Sequence, residues 1–150
     1  MANVVPYAFP VELLTGTHNF SNGGNTFKLA LYTSSPYTTA STAYVTTNEV
    51  SSAGGSQYGA GGNTLTGQQL TNINNVATVD FAQTVWGTPT AATFTAAFGA
   101  IYNSTQSDKL VVVLDFGGDK SCSNGTFTIT FPDATTGTPA GTDAILSITS

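Results

Sequence analysis

The sequence predicts an all-β fold, a single-domain antiparallel β-sandwich of jelly-roll or immunoglobulin-like type with one short N-terminal helix. Three observations predict it. Apolar and polar residues alternate in short runs, which is the period of a half-buried strand. Clusters of Gly and Asn separate those runs at short intervals, and such residues suit tight reversals. Helical spacing of apolar residues occurs in only one place.

That place is Ala8–Leu14, where Pro10 fits a first helical turn, Val11, Leu13 and Leu14 follow, and Gly16 ends the segment. One or two helical turns are expected there, plugging an end of the sandwich. Thr26–Ser34 then alternates, with Phe27, Leu29 and Leu31 on one face and Lys28, Ala30 and Tyr32 on the other. Tyr44–Val50 is a weaker strand candidate. Val76–Ala82 puts Val79 and Phe81 together, and Thr93–Tyr102 puts Phe94, Phe98 and Tyr102 on one face. Leu110–Phe116 is continuously apolar, as expected of a central strand covered on both sides. Gly125–Phe131 sets Phe127, Ile129 and Phe131 opposite threonines, and Ala144–Thr149 is a last short strand. Turns are expected at 21–25, 54–55, 59–63, 87–89, 117–118 and 137–141, with Asn124-Gly125 as a hairpin dipeptide. About seven to nine strands result.

One hundred and fifty residues suit one domain, here 1–150, with an N-terminal segment 1–20 and a Gly/Ser-rich flap at about 34–63. The flap is expected to extend as an arm toward a neighbour, because long excursions in compact domains are functional or disordered.

Residues that perform chemistry are scarce. Charged residues make up 7% of the chain, against about 25% in an ordinary domain. Thr, Ser and Asn fill about a third of it. The only cations are Lys28, Lys109 and Lys120 on a chain of net charge −5. No basic patch can form, so nucleic acid and anionic membrane surfaces are excluded as partners. No apolar run reaches the length of a bilayer span, and the first residues carry neither a basic start nor an apolar signal core. Cys122 has no intrachain partner.

Each candidate site has a plainer reading. His18, the single histidine, lacks any Gly-x-Ser-x-Gly elbow elsewhere in the chain and reads as a surface or turn residue after the helix. Asp115, Asp119 and Asn124 do not follow the spacing of a calcium loop and read as turn chemistry. Gly59–Gly62 and Gly117–Ser121 fail the phosphate-loop pattern, the second because Asp119 precedes Lys120 where Gly is required. Asn-x-Ser/Thr triplets at Asn19, Asn103 and Asn124 are expected by chance in a chain this rich in Ser and Thr. Trp86 is expected in the core. No catalytic, cofactor-binding or metal-binding residue is assigned, no cofactor is expected, and the chain is expected not to be an enzyme.

The order of short segments resembles a family of small virion structural proteins of tailed bacteriophages, some of them capsid decoration (cement) proteins. The stretches that carry the resemblance are Glu12-Leu13-Leu14-Thr15-Gly16-Thr17-His18-Asn19-Phe20 and Thr26-Phe27-Lys28-Leu29-Ala30-Leu31-Tyr32-Thr33. Thr47-Asn48-Glu49-Val50 follows, with Gly59, Gly61 and Gly62. Val85-Trp86, Asp115-Phe116-Gly117-Gly118 and Asn124-Gly125-Thr126-Phe127-Thr128-Ile129 complete it. The resemblance implies a non-enzymatic virion component and brings no catalytic residues. It leads to the expectation of a protein on the capsid exterior, assembled in the host cytoplasm. Its partners would be the major capsid protein lattice and further copies of itself, as a dimer or trimer. Ala2–Phe9 and Ser51–Asn63 are the expected contact elements. The alternative is a tail- or fibre-associated host-recognition domain in which Tyr37, Tyr44 and Tyr58 stack on a surface glycan.

Overall fold

The computed structural model describes residues 2–73, 75–132 and 145–149. Its order is α1 (Ala8–Leu14), β1 (Phe27–Tyr32), β2 (Asn63–Thr64), β3 (Gln69–Ile73) and β4 (Val76–Asp80). There follow β5 (Thr84–Trp86), β6 (Ala92–Asn103), β7 (Lys109–Gly125), β8 (Phe127–Ile129) and β9 (Leu146–Thr149). The chain is an all-β single domain with one short helix. Every strand pairing among the described residues is antiparallel.

A four-stranded sheet, β2-β1-β6-β7, forms the spine. It is covered on both faces, which explains why β1 is apolar on both sides. Phe27, Leu29 and Leu31 enter the larger core with Val79, Phe81, Trp86, Phe127 and Phe131. That core lies between the spine and the smaller sheets β3-β4-β9 and β5-β8, the packing expected of a sandwich. An aromatic series runs through it, including Phe20 stacked on Phe27 at 4.4 Å. Ala30 and Tyr32 point the opposite way, into a second core with Tyr37, Ala100, Tyr102, Leu110 and Val113.

The wall of that second core is the excursion after β1. It does not reach away as an arm over most of its length, since Tyr37, Val50 and Tyr58 are buried in the body. Its longest exposed run is Ser51–Gly55, with shorter ones at 38–40 and 45–48. Tyr44–Val50 is not a strand. Its ladder pairing is limited to isolated bridges, Glu49 with Tyr32 and, just before it, Ala43 with Lys109, and Asn48 turns the backbone at φ 60°.

Bulges correct the expected faces of β6 and β7. Ala96 pairs with Lys120 and Phe98 with Asp115, so residues 116–119 stand opposite the single residue Ala97. A slip of this kind moves side chains to the other face. Phe94 therefore enters the larger core while Phe98 and Tyr102 join the second. Gly117 and Gly118, expected to end a strand, sit at φ 72° and 128° inside this bulge, and β7 continues beyond them. Asn124-Gly125 makes no hairpin. It carries the chain from the spine to β8, whose partner is β5. The turn expected at 137–141 and the start of the last strand at Ala144 lie outside the described residues.

Candidate interaction surface

Two ionisable groups, Glu12 and His18, are buried, while Asp108, Asp119 and Lys120 stay exposed. Glu12 and Phe9 form the buried face of α1. A carboxylate there requires partners, because an unpaired buried charge is costly. The turn at Thr15–Thr17 brings His18 back beside the helix, where Nε2 lies 3.0 Å from Glu12 Oε2. Lys109 Nζ, from the start of β7, donates to Glu12 Oε1 at 2.5 Å. On the other side of the imidazole, Asn103 Nδ2 donates to His18 Nδ1 at 3.0 Å and to Asn25 Oδ1 at 3.0 Å. Asn103 Oδ1 accepts the Thr105 N–H. This network assigns the tautomer: Nδ1 accepts, so Nε2 carries the proton and donates to Glu12.

His18 is thus not the surface or turn residue expected from the sequence. It is 6% exposed, and both ring nitrogens are engaged. The cluster ties α1 to the spine and presents no free nitrogen to a substrate.

Burial by itself would raise the Glu12 carboxyl. The hydrogen bonds from Lys109 and His18, with the Lys109 charge, outweigh it and hold the group below its usual value of 4.5. A depressed folded value contributes stability that is full above the unfolded value and lost as pH falls through the folded one. The thermal midpoint is therefore expected to fall as the medium is acidified below about pH 4.5, and a Glu12→Gln variant is expected to show a shallower fall there. Parallel melting curves of the two proteins check this; identical slopes would show that Glu12 gains nothing from its partners.

A second cluster pins the excursion to the spine. Glu49 Oε2 accepts the Tyr44 hydroxyl at 2.7 Å, and Oε1 accepts the Tyr58 hydroxyl and the Gly61 N–H, both at 2.7 Å. Tyr58 in turn accepts the Leu31 N–H, and Tyr102 donates to the Gly61 carbonyl. Tyr37 and Tyr32 share a hydroxyl contact of 2.6 Å that closes on both backbone groups of Val45. Burial and the Glu49 carboxylate push the Tyr44 hydroxyl well above its usual range. Tyr37 and Tyr58 are 3% and 2% exposed, and Tyr44 stacks on Tyr102 at 4.6 Å. Of the three tyrosines expected to stack on sugars, Tyr37 and Tyr58 are buried, and Tyr44 is half-buried with its hydroxyl and one ring face engaged within the protein.

The remaining sequence candidates are dispersed. Asp115 Oδ1 accepts the Gly117 N–H, a local turn bond. Among the described residues no three His, Cys, Asp or Glu side chains gather in a metal-binding group. Cys122 and Trp86 are both buried in the larger core. Asn103 is fully buried, and Asn124 sits in the left-handed region at φ 49°.

What the surface offers instead is apolar. Between α1 and the sheet β3-β4-β9 runs a groove of about 370 Å³ lined by Val5, Leu13, Leu70, Ile148 and their neighbours. Next to it, Tyr7, Val11 and Leu14 follow the i, i+4, i+7 spacing of a single helical stripe, and they are 73%, 63% and 90% exposed. A helix apolar on its inner and outer sides is normally covered on both. This stripe was legible in the sequence as an apolar spacing, but not as an outward one. Comparison with protein-family models, curated proteins and solved structures finds no match to this chain.

Proposed function

We propose that the protein is a non-enzymatic structural component of a tailed-bacteriophage virion, a capsid decoration protein. In this reading it binds the major capsid protein lattice from outside, acts as a homo-oligomer and clamps neighbouring shell subunits. The observation that carries the reading is how little charge the chain has, together with the pairing of part of it inside the fold. Glu12, His18 and Lys109 satisfy one another, and Glu49 is engaged by three donors. What faces outward is mostly hydroxyl, amide, glycine and apolar side chains. Such a surface loses little when a lattice desolvates it, because buried hydroxyls and amides need only a hydrogen bond whereas buried charges need a full partner. The segmental resemblance to small phage virion proteins supports the same reading.

The mechanism is mass action. A protein that binds the assembled shell and not its separated subunits stabilises the shell by its binding free energy. Ala2–Phe9 and Ser51–Asn63 remain the proposed contact elements, the latter exposed in an unbroken run at Ser51–Gly55. At Gly54 and Gly55 the backbone has positive φ and open space around it. Antibody-gold labelling of intact particles, with serum against the purified chain, tests the assignment. Label spread over the head is the expected result. Label confined to the tail would overturn decoration and leave a tail component in its place.

A further inference from the structure

We infer that the outer stripe of α1, the adjoining groove and the edge of β3 form one interface, and that its occupant is a second copy of this chain related by a two-fold axis. This stands whether or not the protein belongs to a virion.

The first argument is apolar exposure. Seven large hydrophobic side chains are exposed among the described residues, and six of them belong to this surface: Val5, Tyr7, Val11, Leu14, Leu70 and Ile148. They are 44–90% exposed and gather in one region, unlike the single scattered hydrophobics that are ordinary on a surface. A stable pair buries about 800 Å² on each partner. These six side chains supply the apolar centre of such an interface, and its rim is polar.

Charge supplies the second argument. In a two-fold interface each patch meets its own copy, so any uncompensated charge near the axis meets itself. Among the described residues no Asp, Glu or Lys lines this groove, and the one ionisable residue there, His18, is already paired with Glu12. The chain as a whole carries −5. The described lining of the groove adds no like charge to oppose the meeting of two copies.

The third argument is the strand edge. β3 pairs with β4 on one side, and its other edge has no strand beside it among the described residues. Natural edges are usually protected by charge, proline or a bulge. β3 reads Gln-Leu-Thr-Asn-Ile and has an unbroken register with β4, so it carries none of these. An antiparallel strand paired with its own copy is two-fold by construction, and the same segment supplies both halves. Pairing at β3 would bring the two Leu70 side chains toward the axis, with each α1 stripe against the partner's groove.

Sedimentation equilibrium of the full chain at about 100 µM tests the inference, alongside Val11→Glu and Leu70→Lys variants. Both positions are more than half exposed, so the variants are expected to fold, and circular dichroism and melting confirm that they do. The expected result is a dimeric parent chain and a dissociation constant raised at least tenfold in each variant. A monomeric parent chain would overturn the proposal, as would a trimer. A dimer unmoved by either substitution would also sink it, by placing the contact on another face.

Discussion

Replacing Gly62 by alanine is expected to cost about 4 kcal/mol and to lower the melting temperature by about 8–16 °C, or to abolish folding. Gly62 stands at φ 73°, where an L side chain is strained by roughly 1–2 kcal/mol. The greater cost is contact. A Cβ there would sit 1.8 Å from the Leu29 carbonyl oxygen, 2.5 Å from its carbon and 2.7 Å from the Ala30 Cα. All three are backbone atoms of β1, whose Leu29 and Ala30 are fully buried in opposite cores. β1 cannot move aside without disturbing both cores, and Gly62 cannot retreat without losing the register Leu29–Asn63 that β2 makes with it. Gly55→Ala is the control. It has nearly the same dihedral, φ 75°, with nothing within 4 Å of its Cβ, so only the backbone strain of about 1 kcal/mol is expected. Denaturant unfolding of both variants separates strain from collision. Equal losses would mean that the close approach of Gly62 to β1 is not a feature of the folded protein.

The same close approach marks what the sequence could and could not say. Alternation is a signal about faces, and it succeeded where a strand runs without interruption. β1, β4 and β8 carry the faces read from their residues, and α1 spans the residues expected of it. Alternation failed at the bulges, because one unpaired residue reverses the parity of everything after it. Nothing local to Ala97 announces that Phe94 and Phe98 will enter different cores. β3 escaped notice since its Leu70 and Ile73 are not two apart, and β5 since three residues hold too little pattern. The buried histidine was missed for a different reason. Attention to His18 alone finds no motif, whereas the informative residue was Glu12. It is three positions after Phe9, on the inward face of a helix otherwise apolar, and a carboxylate in that place demands a partner brought from elsewhere. The outer stripe of the helix lay in view as well, but spacing cannot distinguish a covered face from an open one.

Truncating Asn103 to alanine is expected to destabilise the protein by about 3 kcal/mol, a fall of about 6–12 °C in melting temperature. Asn103 is completely buried at the end of β6 and uses both ends of its amide. Its Nδ2 serves His18 and Asn25, two side chains that no regular backbone pairing brings together, and its Oδ1 serves the turn that leads into β7. Removing it leaves the Nδ1 of a buried imidazole without a donor, an unmet group worth about 1–3 kcal/mol, and a void where the amide stood. The loss should therefore exceed that of a surface asparagine such as Asn22, where substitutions usually fall within about 0.5 kcal/mol. A second readout separates this account from simple loss of packing. His18 is the only histidine, so its ring nitrogens can be assigned without ambiguity by nitrogen-15 spectroscopy. In the parent chain Nε2 should carry the proton and Nδ1 should not. In the variant the donor that enforces that tautomer is gone, and the Nδ1 signal should move. A large loss of stability with the imidazole signals unchanged would mean that Asn103 fills space and does not orient the histidine. Retention of both would mean that α1 is held to the spine by its apolar residues and the Glu12–Lys109 pair without help from Asn103.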